Sequence, residues 1–112
     1  MDEKTYNAIF EMLHAALRSK DEDERELAVD LAQMAVKYTE ERASWNWLTL
    51  EERDARDGGR TKMHNRLIDC FNIFLRYEVT KGRQNIDMSI YDRKTIGDTA
   101  NRLVCDLAIA QR

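Results

Sequence analysis

The chain contains no proline in 112 residues. Average usage would supply roughly five or six, and each one inside a helix would remove an N–H and clash with the preceding turn. That absence, with only four glycines, predicts long uninterrupted helices joined by short connections. The two cysteines, Cys70 and Cys105, have no metal-ligand spacing and are read as core residues on apolar helix faces. No apolar run approaches the roughly 20 residues that cross a bilayer. The opening MDEKTYNAIF is acidic where a secretory leader is basic and then apolar, so the expectation is a cytoplasmic protein with no membrane role. Positive charge is not in excess: 18 basic against 21 acidic side chains leave −3. That balance argues against nucleic acid as a partner, because such binding rests on a concentrated basic surface. There is no Gly-rich phosphate loop, no GxSxG and no HExxH.

What is present suits one folded domain spanning residues 1–112. Charged residues make up 35% and hydrophobic residues 43%, a soluble composition rather than a disordered one. The stretch Arg60–Val79 dominates. Met63, Leu67, Cys70, Phe74 and Tyr77 recur at steps of four and three, and Ile68, Phe71, Leu75 and Val79 run beside them. At 3.6 residues per turn the two lines merge into an apolar face covering about half the circumference, with Asn65, Asp69, Asn72 and Arg76 opposite. This is the expected central helix.

Three more helices follow from the same periodicity. The first runs from about Lys4 to Arg18 on Tyr6, Phe10, Leu13 and Leu17. The second begins at the capping box Ser19–Glu22 and carries Leu27, Leu31, Met34 and Tyr38, with Ala28, Ala32, Ala35 and Val36 as a second surface of small residues. It frays near Ala43. The last starts at Asp92 and reaches Ala110, with Gly97 allowing close approach to the central helix. Thr49–Glu52 is another capping box and opens a short polar helix over 50–57, which Gly58–Gly59 ends by a break or kink. Ile86, Met88 and Ile90 alternate with polar residues, so residues near 84–91 are expected to be extended, either draped over the bundle, the commoner arrangement, or paired with the same segment of a second copy. The predicted fold is an all-α antiparallel four-helix bundle with one short additional helix and one extended segment.

Candidate chemistry is sparse. Glu11 and His14 form one ExxH, but di-iron bundles need two, and Thr61 stands where His64 would need its acid. No metal and no cofactor are expected. The acids at 21–24 and 26 are read as a helix-start feature that complements the dipole. Arg60 and His64, four apart, share a face, as a positioned general base requires; no nucleophile or metal accompanies them, and Asn65 stands where a phosphohydrolase HD pair has aspartate. The ordinary reading of His64 is a core histidine bonded to another helix. Trp45 and Trp47, with Leu48, lie within four residues. Trp45 continues the stripe of the second helix and is expected in the core; Trp47 points elsewhere, to the bundle end or to an interface, where tryptophan is enriched.

At the dominant stretch a resemblance can be stated. Arg60-Thr61-x-x-His64-Asn65, then Ile68, Asn72 and Arg76-Tyr77, and later Ile96-Gly97-Asp98 with Asn101, resemble a group of small uncharacterised bacterial all-helical proteins over residues 51–112. The resemblance implies no activity. It implies a shared polar cluster of Arg60, His64, Asn65, Asp98 and Asn101 where the last two helices meet. The functional expectation is a non-enzymatic interaction or accessory protein that binds a protein partner or associates with itself as a homodimer, through apolar surface near Trp45, Trp47 and Leu48. The alternatives are a small hydrolase or ligand-binding bundle using Arg60, His64 and Asp98, and an immunity or antitoxin-like protein (the last by analogy of fold alone).

Overall fold

A computed structural model describes residues 1–88 and 95–111. Four helices pack against one another: α1 (Glu3–Ala16), α2 (Glu22–Trp45), α3 (Leu50–Thr80) and α4 (Ile96–Ala110). No strand occurs among the described residues, and none of their helices is long and apolar enough to cross a membrane.

Local chemistry sets the starts of α1, α2 and α3. Asp2 caps α1 by accepting from the Thr5 N–H at 2.7 Å. Asp21 caps α2, accepting from the Asp23 and Glu24 N–H groups. The expected Ser19 box is therefore corrected: the Ser19 hydroxyl accepts from the Asp21 N–H at 3.1 Å and shapes the turn, leaving the first-turn donors of α2 to a carboxylate. Thr49 and Glu52 form the expected reciprocal box at the start of α3. At the far end of α3, Gly82 takes φ +82°. Its N–H and that of Arg83 reach back to the Val79 and Glu78 carbonyls, a left-handed ending that glycine adopts without strain.

The expected short helix over 50–57 is not separate. Residues Leu50–Thr80 form one helix of 31 residues that passes through Gly58 and Gly59 without a break. Two adjacent glycines cost roughly 1 kcal/mol each, and the hydrogen-bond ladder continuing on both sides absorbs that.

Three contacts set the direction of α2 against α3. Asp21 meets Tyr77, Tyr38 meets His64, and Trp45 meets Arg60. As one number rises the other falls, so these two helices run in opposite directions. With 24 and 31 residues they are about 36 and 46 Å long, against roughly 22 Å for α1 and α4. The hairpin accounts for the longest dimension of the molecule, 47 Å.

The core lies at one end of that hairpin. Ile9 and Leu13 of α1, Leu31 of α2, Phe71 and Phe74 of α3, and Leu103 of α4 are fully enclosed there. Ile86 and Met88 are buried as expected, while Ile90 and the expected cap Asp92 lie outside the described residues. Asn72, placed on the polar side by periodicity, is instead buried; its side-chain oxygen accepts from the Met88 N–H at 3.0 Å and anchors the chain that crosses it. Gly97 does allow close approach, but to α2. A Cβ there would stand 2.7 Å from the Arg42 guanidinium and 2.9 Å from the Tyr38 ring. Cys105 is exposed, not the core residue expected, whereas Cys70 is half-buried and packs against the core. At the α1–α4 seam, Arg102 makes two bonds to Glu3 and lies 3.7 Å over the Tyr6 ring, while the Tyr6 hydroxyl donates to Asp106. Burial first, then that carboxylate, hold the Tyr6 hydroxyl well above its ordinary range.

Candidate functional site

The residues of the expected polar cluster sit on α3 and α4, with side chains of α2 between them. Arg60 lies over the Trp45 ring, 4.5 Å from its centroid. His64 is half-buried, its ring 6.1 Å from that of Tyr38 and tilted by 57°. The other flank of Tyr38 meets Gly97 at the start of α4. Asp98 pairs with Arg42 at 2.7 Å, both side chains being largely in solvent, where such pairs contribute at most about 1 kcal/mol. Asn65 and Asn101 are exposed. Arg60 and Asp98 thus have partners on α2, and Tyr38 links the two groups. His14 stacks on Phe10 with centroids 5.5 Å apart and contacts Arg18.

The tryptophans occupy the far end of the hairpin. Trp45 is half-buried rather than in the core: Arg60 covers its face, and the Arg53 side chain donates to its carbonyl at 3.2 Å. Leu48 is half-buried. Trp47 is 88% exposed and Leu50 77%. From residue 39 to residue 66 no side chain is buried. This half of the hairpin has no interior of its own, and Trp47 and Leu50 at its tip face water.

A third group lies at the other end of the hairpin, where α2 begins and α3 ends. Glu78, near the end of α3, is 1% exposed and contacts Glu24 in the first turn of α2. The two carboxyl groups hydrogen-bond each other, which requires one of them to carry a proton. Burial, then the bond to Glu24 and its charge, push Glu78 up to about 7. Glu24 is held below its ordinary value, first by that bond, with Ser19 and Lys81 adding to it. Glu78 is therefore the donor. Its Oε2 is enclosed by the protein. Beside the pair, the Tyr77 hydroxyl donates to Asp21 at 2.6 Å, and Lys81 binds Asp21 while standing 4.0 Å from Glu24. Lys81 and Tyr77 hold the Asp21 carboxyl far below the usual carboxylate range. One signal did exist: Glu78 stands four after Phe74 and three after Leu75, in register with the buried stripe.

Among the described residues, no group of three or more His, Cys, Asp or Glu side chains is placed to hold a metal ion. Comparison of the chain with protein-family models, with curated proteins and with solved structures finds no match in any of the three.

Proposed function

We propose that this chain is a non-enzymatic interaction protein, an antiparallel four-helix bundle whose α2–α3 hairpin projects as an arm for a protein partner. One observation supports this above the rest. The arm exposes Trp47 and Leu50 at its tip, and no residue from 39 to 66 is fully enclosed. Large exposed apolar side chains are unfavourable in water and are the residue types that dominate binding energy once a partner covers them. An immunity or antitoxin-like protein is one case of this reading, with a toxin as the partner.

The hydrolase or ligand-binding reading has less in its favour. Arg60 is committed to the Trp45 ring and Asp98 to Arg42, so neither is directed at a shared reacting centre beside His64. A photoreactive side chain replacing the exposed Arg56 tests the arm in the cells that make the protein. The expectation is one dominant protein adduct, lost in the Trp47→Ala background and retained with His64→Gln. Adducts indifferent to Trp47→Ala would overturn the reading.

A further inference from the structure

Away from the arm, α2 has a face that neither α3 nor α4 covers. Val36 is 42% exposed, and Val29 and Ala32, one turn apart on the same line, are half-covered. Ala32, Gln33 and Val36 form a ridge between two grooves. One groove, of about 720 Å³, lies towards α3 and is lined also by Met34 and Cys70. The other, of about 280 Å³, lies towards α4 and is lined by Val104, Leu107 and Ala108. The ridge is apolar at its centre and charged at its edges.

The order of those charges selects the occupant. Along the exposed edge run Glu26, Asp30, Gln33, Lys37 and Glu40 at steps of four and three, with Arg25 beside Glu26. Among the described residues, Glu26, Asp30, Lys37 and Glu40 make no ion pair within the chain. Rotate a second α2 by a half-turn about an axis between Ala32 and Gln33. Position 29 then faces 36, 25 faces 40, and Lys37 falls between Glu26 and Asp30 of the other copy. Stacked in parallel, the same helix would set Lys37 against Lys37 and Asp30 against Asp30. Arg66, which lines the larger groove, adds positive charge on the Lys37 side. Two-fold pairs use one patch twice, so a surface complementary to its own reversal is the signature of a second copy.

We infer that two copies of this chain pair through α2 in antiparallel orientation, Val29 packing on Val36 across the two-fold axis and Lys37 reaching Glu26 and Asp30 of the other copy. The pairing moves self-association away from the tryptophans, and it stands whether or not the arm binds a partner.

Sedimentation equilibrium on the purified chain reads it directly. The wild type is expected to be dimeric at micromolar concentration. Val36→Glu, a change at a solvent-facing site, is expected to leave the helical circular-dichroism spectrum intact and the protein monomeric. Lys37→Glu weakens the dimer roughly tenfold or more, and adding Asp30→Lys to it recovers most of the loss, as charge reversal across an interface does. Trp47→Ala leaves the dimer unchanged, which separates this surface from the arm. A wild type that stays monomeric, a dimer that survives Val36→Glu, or a double charge swap that fails to recover the loss overturns the pairing.

Discussion

The two halves of α3 are one continuous helix built under opposite conditions. From Leu67 to Thr80 the helix contributes seven buried residues, among them Phe71, Phe74 and Leu75. From Leu50 to Arg66 it contributes none, and it contains two glycines whose missing side chains would meet nothing within 4 Å. The second half is helical because burial of an apolar face stabilises it. The first half has its capping box, its place beside α2, and the helix already formed downstream of it. Cooperativity explains the continuity: a formed helix extends at far less cost than a new one nucleates. What separates the halves is how much each loses when the rest of the bundle is altered.

Substitution at the core end gives the largest contrast. Phe74→Ala, at a fully enclosed site, should lose about 3–5 kcal/mol of unfolding free energy. Arg56→Ala in the exposed half should stay within about 0.5 kcal/mol by urea denaturation. Equal losses at the two sites would erase the distinction.

The buried acid gives the next largest effect and depends on pH. Glu78 keeps its proton in the folded state up to about 7, whereas the unfolded chain releases it near its ordinary value of 4.5. Between those values the folded state binds more protons, so stability falls as pH rises through that window and levels off above it. Glu78→Gln, whose amide can donate to Glu24 at any pH, should remove this fall and gain about 2 kcal/mol near pH 8. A wild-type midpoint equal at pH 5 and pH 8 would contradict the assignment. Asp21 acts in the opposite sense: Lys81 and Tyr77 depress it, so its contribution is present above the ordinary carboxylate value and is lost as pH falls below it.

A smaller effect sharpens the comparison within the arm. Gly58→Ala and Gly59→Ala meet no neighbouring atom within 4 Å and should each favour the helix by up to about 1 kcal/mol. Amide exchange should slow over residues 50–60 with little change in the Tm of the bundle. The smallest expected change is from Trp47→Ala, less than about 0.5 kcal/mol in stability, because a side chain 88% exposed has little packing to lose. A large loss there would mean that the tip has an interior after all.

Periodicity carried most of the fold. The stripe Leu67, Phe71, Phe74 and Leu75 is enclosed as the spacing requires, and Ile86 and Met88 of the crossing segment are buried. Where the reading failed, a competing term had been left out. Gly58–Gly59 reads as a helix stop by propensity alone, and the cooperativity of a helix continuing on both sides overrides it. Asn72 looked exposed because spacing cannot report that a later segment will cross over it and need an acceptor. Trp45 looked enclosed because its spacing continued a stripe whose opposing layer ends at Tyr38. Glu78 was legible only as an acid in apolar register, and its meaning came from Glu24, 54 positions earlier. Arg60 and His64 share a face as read, but that Arg42 would reach Asp98 from α2 is a tertiary fact with no local trace.

The coreless half of the hairpin has a kinetic consequence. A helix pair that opens locally at little cost must be stiffened by whatever closes on it, and this ordering subtracts from the grip. The departing partner meets less resistance for the same reason. Such a tip favours brief, renewable attachment over permanent assembly, and alanine in place of its two glycines would lengthen each encounter without adding a single contact.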